Sequence, residues 1–164
     1  SYLYQARFLV GKSKETQISN FKKSMLYGQD NLFQIDWHFL RGTEMSGVVV
    51  GGNIRCFLKL AGTPYMPDLD GKILFLESYG GGVAQMKTYL AQLSHLGAFD
   101  KISGLLLGTF TQMEECHEPP DIAELALNTV DVNIPIAQTR DVGHGNNSKC
   151  LVIGKKYTFA VRTI

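Results

Sequence analysis

The 164-residue sequence lacks any apolar run close to the roughly 18 residues that a membrane-spanning helix needs. Its longest apolar stretches, such as residues 104–108, have the length of a buried strand. It also lacks a basic cluster, because 16 Lys and Arg and 15 Asp and Glu residues are dispersed and leave a net charge of +1. Nucleic acids are bound by a concentrated basic surface. These absences argue against a membrane span and against a nucleic acid polymer as partner.

The sequence also lacks a secretory signal, because no basic and then apolar segment stands near its start. Three cysteines, Cys56, Cys116 and Cys150, are odd in number and share no metal-binding or CxxC spacing. Such cysteines are typical of reduced thiols, so we expect a cytoplasmic protein. The chain begins at Ser1 without an initiator methionine, and we interpret it as a fragment.

A convincing catalytic nucleophile is missing as well. No Gly-x-Ser-x-Gly segment, the signature of a nucleophile elbow, occurs in the sequence. Ser78 directly follows Glu77, and successive side chains of an extended strand point to opposite faces. The triple glycine at 80–82 matches neither a GxGxxG motif nor a P-loop. It predicts a flexible connection rather than a phosphate site.

What the sequence does contain is an α/β pattern, clearest after residue 47. Apolar runs predict strands, and three-and-four apolar spacing predicts helices: strands at 48–50, 72–77 and 102–110, helices at 54–61, 83–96 and 122–130. Gly51 and Gly52 are expected to end the first strand, and Asn53 to cap the helix after it. The alternation of strands and helices from 72 to 139 implies right-handed parallel crossovers.

The secondary-structure pattern is weaker toward the two ends of the chain. Residues 1–46 form a poorly assigned segment that we expect to pack on the domain 47–164. Within it we predict strands at 2–10 and 33–39. Between them we predict a helix at 13–27, with Ser13 or Thr16 as its N-cap. The helix is suggested by its apolar residues Ile18, Phe21, Met25 and Leu26.

The C-terminal third predicts a polar loop at 114–121 and strands at 134–139, 150–153 and 157–161. The last two strands form a predicted hairpin across Gly154 and Lys155. The predicted fold class is therefore α/β, with a small parallel sheet, its helices and an antiparallel β portion.

Two residues are the candidates for chemistry. Glu77 ends a buried strand, where α/β proteins place their functional groups. It is a candidate to orient a histidine, or alternatively a cap for a turn or for the next helix. His144 lies between Gly143 and Gly145, and it is a candidate general base and acid, or alternatively a surface loop residue.

The other three histidines carry weaker arguments. His95 lies near a helix C-terminus, where a partly charged imidazole is favourable for the helix itself. His117 lies in an acidic run, which predicts a solvated loop more than a metal site. His38 has no supporting pattern.

Several segments together resemble one family. They are Gly-Gly-Asn at 51–53, Gly-Thr-Pro-Tyr at 62–65, the run 67–77 that ends in Glu77, the segments 90–93 and 97–108, and Gly-His-Gly at 143–145. Their order and spacing resemble the C-terminal domain of LD-carboxypeptidases, the serine peptidases that include the microcin C immunity proteins. The resemblance covers residues 47–154 well and residues 1–43 loosely.

The resemblance implies a swivelling β/β/α-like domain and a Ser-Glu-His triad in which Glu77 and His144 supply the last two members. The serine and the oxyanion hole would lie on an N-terminal domain that is absent here. Family members cut an L,D amide bond in cell-wall peptides or cleave a peptidyl or aminoacyl nucleotide antibiotic, without metal or organic cofactor. Ser78 and the glycines 80–82 depart from the family pattern on the loop beside the site.

Two alternatives remain open at this point. One is a non-catalytic interaction module that kept the fold, and the other is an independent enzyme that uses Cys116 or Cys150. If the chain is instead the C-terminal domain of a peptidase, then without its partner domain it should expose an apolar docking surface. We therefore expect a homodimer or a larger assembly.

Overall fold

The computed structural model describes residues 2–3 and 14–161. The strands are β1 (Tyr2–Leu3), β2 (His38–Arg41), β3 (Glu44–Asn53), β4 (Ile73–Ser78), β5 (Gly104–Phe110), β6 (Ile136–Gln138), β7 (Leu151–Val152) and β8 (Lys156–Ala160). The helices are α1 (Lys14–Tyr27), α2 (Ile54–Leu58), α3 (Val83–His95), α4 (Thr111–Cys116) and α5 (Ile122–Thr129), with a short 3-10 helix at Asp30–Leu32.

Six strands form one mixed sheet in the order β2-β6-β5-β4-β3-β8. The four inner strands run parallel, and β2 and β8 pair antiparallel at the two edges. Strands β1 and β7 form a separate antiparallel pair. This arrangement confirms the predicted α/β class, with a parallel centre and an antiparallel portion.

Both faces of the sheet are covered, which explains why its central strands are continuously apolar. Along β4, Leu74 and Leu76 pack into a core shared with the helices α2, α3 and α5. Ile73 and Phe75 point to the opposite face, into a second core that includes Val142. Every residue of β4 and β5 is buried. Polar groups at the end of these strands are therefore held by rigid surroundings.

The structure confirms the helices at α3 and α5 and the parallel crossovers between β4, β5 and β6. The side chain of Asn53 accepts a hydrogen bond from the Cys56 N–H and caps α2 as predicted. The predicted helix at 13–27 is present as α1, although Met25 and Leu26 are exposed, at 39% and 68%. The predicted cap Ser13 and the predicted strand beyond Leu3, at 4–10, lie outside the described residues.

Four local predictions are wrong. Gly51 and Gly52 do not end β3, because both pair with β4 and the strand continues to Asn53. The strand predicted at 33–39 begins only at His38.

The predicted loop at 114–121 is helical in its first part, where α4 reaches Cys116. The Glu114 carboxylate accepts the Phe110 N–H, which satisfies a free donor at the start of α4. The predicted hairpin is absent because β7 pairs with β1 and β8 with β3, so the turn at Gly154 connects two sheets.

Candidate active site

Three parallel strands bring the polar groups of the site to one edge of the sheet. In the parallel register, Asn53 of β3 lies opposite Glu77 of β4. Thr109 is the next-to-last residue of β5, the neighbouring strand on the other side. The carboxyl ends of parallel strands are the usual location of α/β sites. The predicted position of Glu77 at a strand end therefore has the expected structural context.

Glu77 and His144 are joined by a short hydrogen bond. His144 Nδ1 lies 2.6 Å from Glu77 Oε2, although 67 residues separate the two in the chain. The Glu77 side chain is 1% exposed and the His144 side chain 19%. Glu77 Oε1 is buried and has no hydrogen-bond partner among the described residues. The carboxylate is thus fully enclosed, and the imidazole is the group that reaches the surface.

The backbone that carries His144 is held against the sheet. The Thr109 hydroxyl accepts a hydrogen bond from the His144 N–H at 3.0 Å, and the Thr109 N–H donates to the Val142 carbonyl. The Ser148 hydroxyl donates to the Gly143 carbonyl at 2.8 Å. The two Thr109 bonds hold the loop against the end of β5, and the Ser148 bond closes the loop around the histidine.

The remaining ring nitrogen is free for chemistry. His144 Nε2 makes no hydrogen bond to any described residue. An Nδ1–H that donates to Glu77 leaves Nε2 as the acceptor, which is the tautomer a general base requires. The pair can therefore accept a proton at Nε2 and stabilise the resulting imidazolium through the carboxylate.

A cleft of about 540 Å³ opens beside His144 and is lined by, among others, Asn53, Arg55, Tyr79, Gly81 and Gln85. The Tyr79 ring lies 5.2 Å from the His144 ring, centroid to centroid. The loop 79–82 is held against α4 by two hydrogen bonds to Gln112. The Gln112 side-chain oxygen accepts the Gly81 N–H, and the Gln112 backbone N–H donates to the Tyr79 carbonyl. The connection predicted to be flexible is thus anchored at two points.

Other candidate residues do not join this site chemically. The Ser78 hydroxyl donates to the Gly80 carbonyl at 2.7 Å, so it is engaged in shaping the loop. His38, His95 and His117 are exposed, and their rings make no hydrogen bond or ion pair with a described residue. Within the described ranges, no group of three or more His, Cys, Asp and Glu side chains is placed to hold a metal ion.

The cysteines differ in environment. Cys56 and Cys116 are exposed, whereas Cys150 is buried. Burial raises the pKa of the Cys150 thiol to about 11. A thiol with such a pKa is protonated near neutral pH, which disfavours Cys150 as a nucleophile.

Sequence reasoning missed Thr109, Ser148 and Gln112. Thr109 and Ser148 hold the loop of His144, and Gln112 holds the loop 79–82. None of the three belongs to a motif. The one available signal was the position of Thr109 near the end of a predicted parallel strand.

The chain is similar to known proteins over most of its length. Residues 46–159 match the family described as LD-carboxypeptidase C-terminal domain. A Vibrio cholerae protein, provisionally named a carboxypeptidase, is 28% identical over 113 residues, which are 66% of this chain and 33% of that protein. The microcin C7 self-immunity protein MccF of Escherichia coli is 24% identical over 139 residues, 84% of this chain and 40% of MccF.

A crystal structure of muramoyltetrapeptide carboxypeptidase from Oxalobacter formigenes shares the fold, with a TM-score of 0.70 and 21% identity. The match covers 96% of this chain and 55% of that one. The matched part of this chain therefore spans between about a third and just over half of the length of these proteins. No helix in the described part is both long and apolar enough to cross a membrane.

Proposed function

The chain belongs to the LD-carboxypeptidase family as a C-terminal domain, and we propose that it carries the histidine base and the orienting glutamate of a serine-type hydrolase. The observation that carries this proposal is the 2.6 Å contact between His144 Nδ1 and the enclosed Glu77 carboxylate. A buried carboxylate with one hydrogen-bond partner costs stability. Such a group is expected where function requires it.

In the proposed mechanism, His144 Nε2 takes the proton of a serine hydroxyl as the serine oxygen attacks the scissile carbonyl. Glu77 holds the Nδ1–H and offsets the charge of the imidazolium. His144 then returns the proton to the nitrogen of the departing amine as the C–N bond breaks. The same histidine activates the water molecule that releases the acyl group from the serine.

We place the serine on a second domain. No serine hydroxyl of the described residues forms a hydrogen bond with the His144 ring, and the Ser78 hydroxyl is already donated to Gly80. The relatives are about twice as long as this chain, which leaves room for such a domain. The cleft beside His144 would then lie at the junction of the domains, a common position for substrate sites.

The proposed substrate is an L,D amide in a cell-wall peptide or a peptidyl or aminoacyl nucleotide conjugate. The first class is supported by the likeness to a muramoyltetrapeptide carboxypeptidase, and the second by the likeness to a microcin C7 self-immunity protein. Because an acyl carbonyl bonded to nitrogen is attacked in both classes, one triad serves either class. We further propose that the complete protein works in the cytoplasm and that this chain alone is inactive.

The test uses the complete reading frame that contains this sequence and the 164-residue chain by itself. Each is assayed for release of the terminal D-residue from an L,D-tetrapeptide and for cleavage of an aminoacyl sulfamoyl adenosine. We expect hydrolysis by the complete protein only, and a loss of about 10⁴-fold or more in kcat for His144→Ala.

Equal hydrolysis by the short chain, or full activity of His144→Ala, would contradict the proposal. If the complete protein cleaves neither substrate class and retains a specific protein partner, the interaction-module alternative replaces it. Sensitivity to a thiol alkylator without dependence on His144 would indicate a cysteine enzyme.

A further inference from the structure

The fully buried residues of α1 are polar, which is unusual for a helix that packs on a domain. Its two buried residues are Gln17, 2% exposed, and Ser24, 8% exposed. Seven residues apart, they lie on the same side of the helix. Buried amides require hydrogen-bond partners. The partners of Gln17 therefore reveal what this face of α1 packs against.

Gln17 reaches the loop that carries His144. Its Nε2 donates to the Ser148 carbonyl at 3.0 Å and to the Asn146 carbonyl at 3.2 Å. We call residues 141–149 the His144 loop. Gln17 lies about 130 residues away in sequence and outside the matched range 46–159.

The His144 loop is closed at its base and held on two sides. At the base, Lys149 Nζ lies 2.9 Å from Asp141 Oδ2. On the side of the sheet, Thr109 accepts the His144 N–H. On the other side, Gln17 binds the carbonyls that follow the histidine. Of these contacts, the bonds from Gln17 come from a helix. The other two come from the sheet and from within the loop.

We infer that Gln17 is a positioning residue for His144, which anchors the His144 loop to α1 and so keeps the imidazole aligned with Glu77. This inference rests on the proposed function, because positioning matters for catalysis only if His144 is the base. Geometry of this kind is demanding, since small displacements of a catalytic group cost up to about 100-fold in rate. The role assigned to Gln17 is indirect, since the bonds that it donates to the loop reach backbone carbonyls and not the imidazole.

The matched pair of variants is Gln17→Leu and Ser24→Ala. Gln17→Leu removes the amide that donates both bonds and leaves an apolar side chain that is one atom shorter. Ser24→Ala removes a buried bond of the same helix, from the Leu32 N–H, which does not touch the His144 loop. A general weakening of α1 would affect both variants alike, whereas loss of an anchor affects only the first.

The first readout is amide hydrogen exchange of the 164-residue chain at His144 and Ser148. The N–H of His144 is bonded to Thr109, and the N–H of Ser148 to the Gly145 carbonyl. We expect Gln17→Leu to speed exchange at both by about tenfold, the factor that one net hydrogen bond supplies. We expect Ser24→Ala to leave both unchanged and to speed exchange at Leu32.

A second readout needs no variant. The side-chain amide protons of Gln17 in the wild-type chain should exchange far more slowly than those of the exposed Gln92. Exchange of the Gln17 amide as fast as that of Gln92 would overturn the inference, even if Gln17→Leu did not fold.

The third readout is the rate of the complete protein, where we expect Gln17→Leu to lower kcat about 10- to 100-fold with little change in KM. Both exchange measurements stand whether or not any hydrolysis is found, so failure of the proposed function is distinguishable from failure of this inference. The inference is refuted if Gln17→Leu leaves exchange at His144 and Ser148 unaltered, or if Ser24→Ala changes it equally.

Discussion

Gly143 lies so close to Thr109 that a Cβ on residue 143 would overlap the threonine hydroxyl. The same hydroxyl accepts the N–H of His144 at 3.0 Å. Gly143 has a φ of +136°, a backbone conformation that residues with a side chain rarely adopt. The first glycine of the Gly-His-Gly segment thus allows the His144 loop to approach β5 and to form this bond.

Gly143→Ala should therefore destabilise the chain and displace His144. We expect a loss of about 1–3 kcal/mol in the free energy of unfolding, since both the strained φ and the overlap act against the native loop. Chemical denaturation measures the loss. A proton spectrum of the imidazole should also lose the deshielded Nδ1–H signal that the bond to Glu77 produces.

Gly145→Ala is the matched control on the other side of the histidine. A Cβ on Gly145 meets no atom within 4 Å, and its φ lies outside the left-handed region. The unfolding free energy should change by less than about 0.5 kcal/mol. Equal losses in the two variants would mean that the contact with Thr109 is not the reason for the glycine at 143.

Glu77→Gln separates function from stability. The amide keeps the shape of the side chain and an oxygen that can face His144 Nδ1, but it removes a buried negative charge whose Oε1 has no partner among the described residues. Relief of that desolvation should leave the unfolding free energy unchanged or higher by about 1 kcal/mol. In the complete protein, kcat should fall by about 10⁴-fold, because the imidazolium loses its counter-charge.

Both arms of this prediction are measurable, by calorimetry on the chain and by kinetics on the complete protein. A lower free energy of unfolding for Glu77→Gln would show that the carboxylate has a structural role. A variant that retains its activity would remove Glu77 from the proposed triad.

The sequence predicted the centre of the sheet because burial on both faces leaves an unambiguous pattern. Leu74 to Leu76 and Leu105 to Leu107 are apolar without interruption, as in strands covered on both sides. Gly51 was misleading for a related reason. Its missing side chain serves close packing, since a Cβ there would collide with the Phe75 carbonyl of the neighbouring strand. A glycine in a strand was mistaken for the end of the strand.

The candidate site was predicted only in part. Glu77 and His144 are the residues proposed to carry the chemistry, and their residue types and local surroundings are visible in sequence. Gln17 and Thr109 act through long-range bonds to backbone groups of the His144 loop. Such bonds leave no periodicity and no motif, so only the fold reveals them. Met25 and Leu26 of α1 were misleading in the same way, because they are exposed whereas Gln17 and Ser24 are buried.

Cys150 predicts how stability depends on pH in the alkaline range. Burial raises the pKa of this thiol from 9.0 to about 11. The folded chain then keeps the proton at pH values where the unfolded chain releases it, so stability should fall as the pH rises from 9 to 11. Urea denaturation across this range measures the slope. Cys150→Ala should flatten the slope, whereas Cys56→Ala, at an exposed position, should not.

The exposed end of α1 predicts association of the chain. Leu26 is 68% exposed and the adjacent Tyr27 is 71% exposed, and neighbouring exposed apolar side chains favour contact with a partner. We expect light scattering to detect a dimer or larger species at high concentration, and the double variant Leu26→Ser, Tyr27→Ser to weaken it at least severalfold. Tyr65→Ser, at a tyrosine outside α1 with 78% exposure, is the control. A chain that stays monomeric at every concentration, or that loses association equally in the control, would show that this surface does not drive assembly.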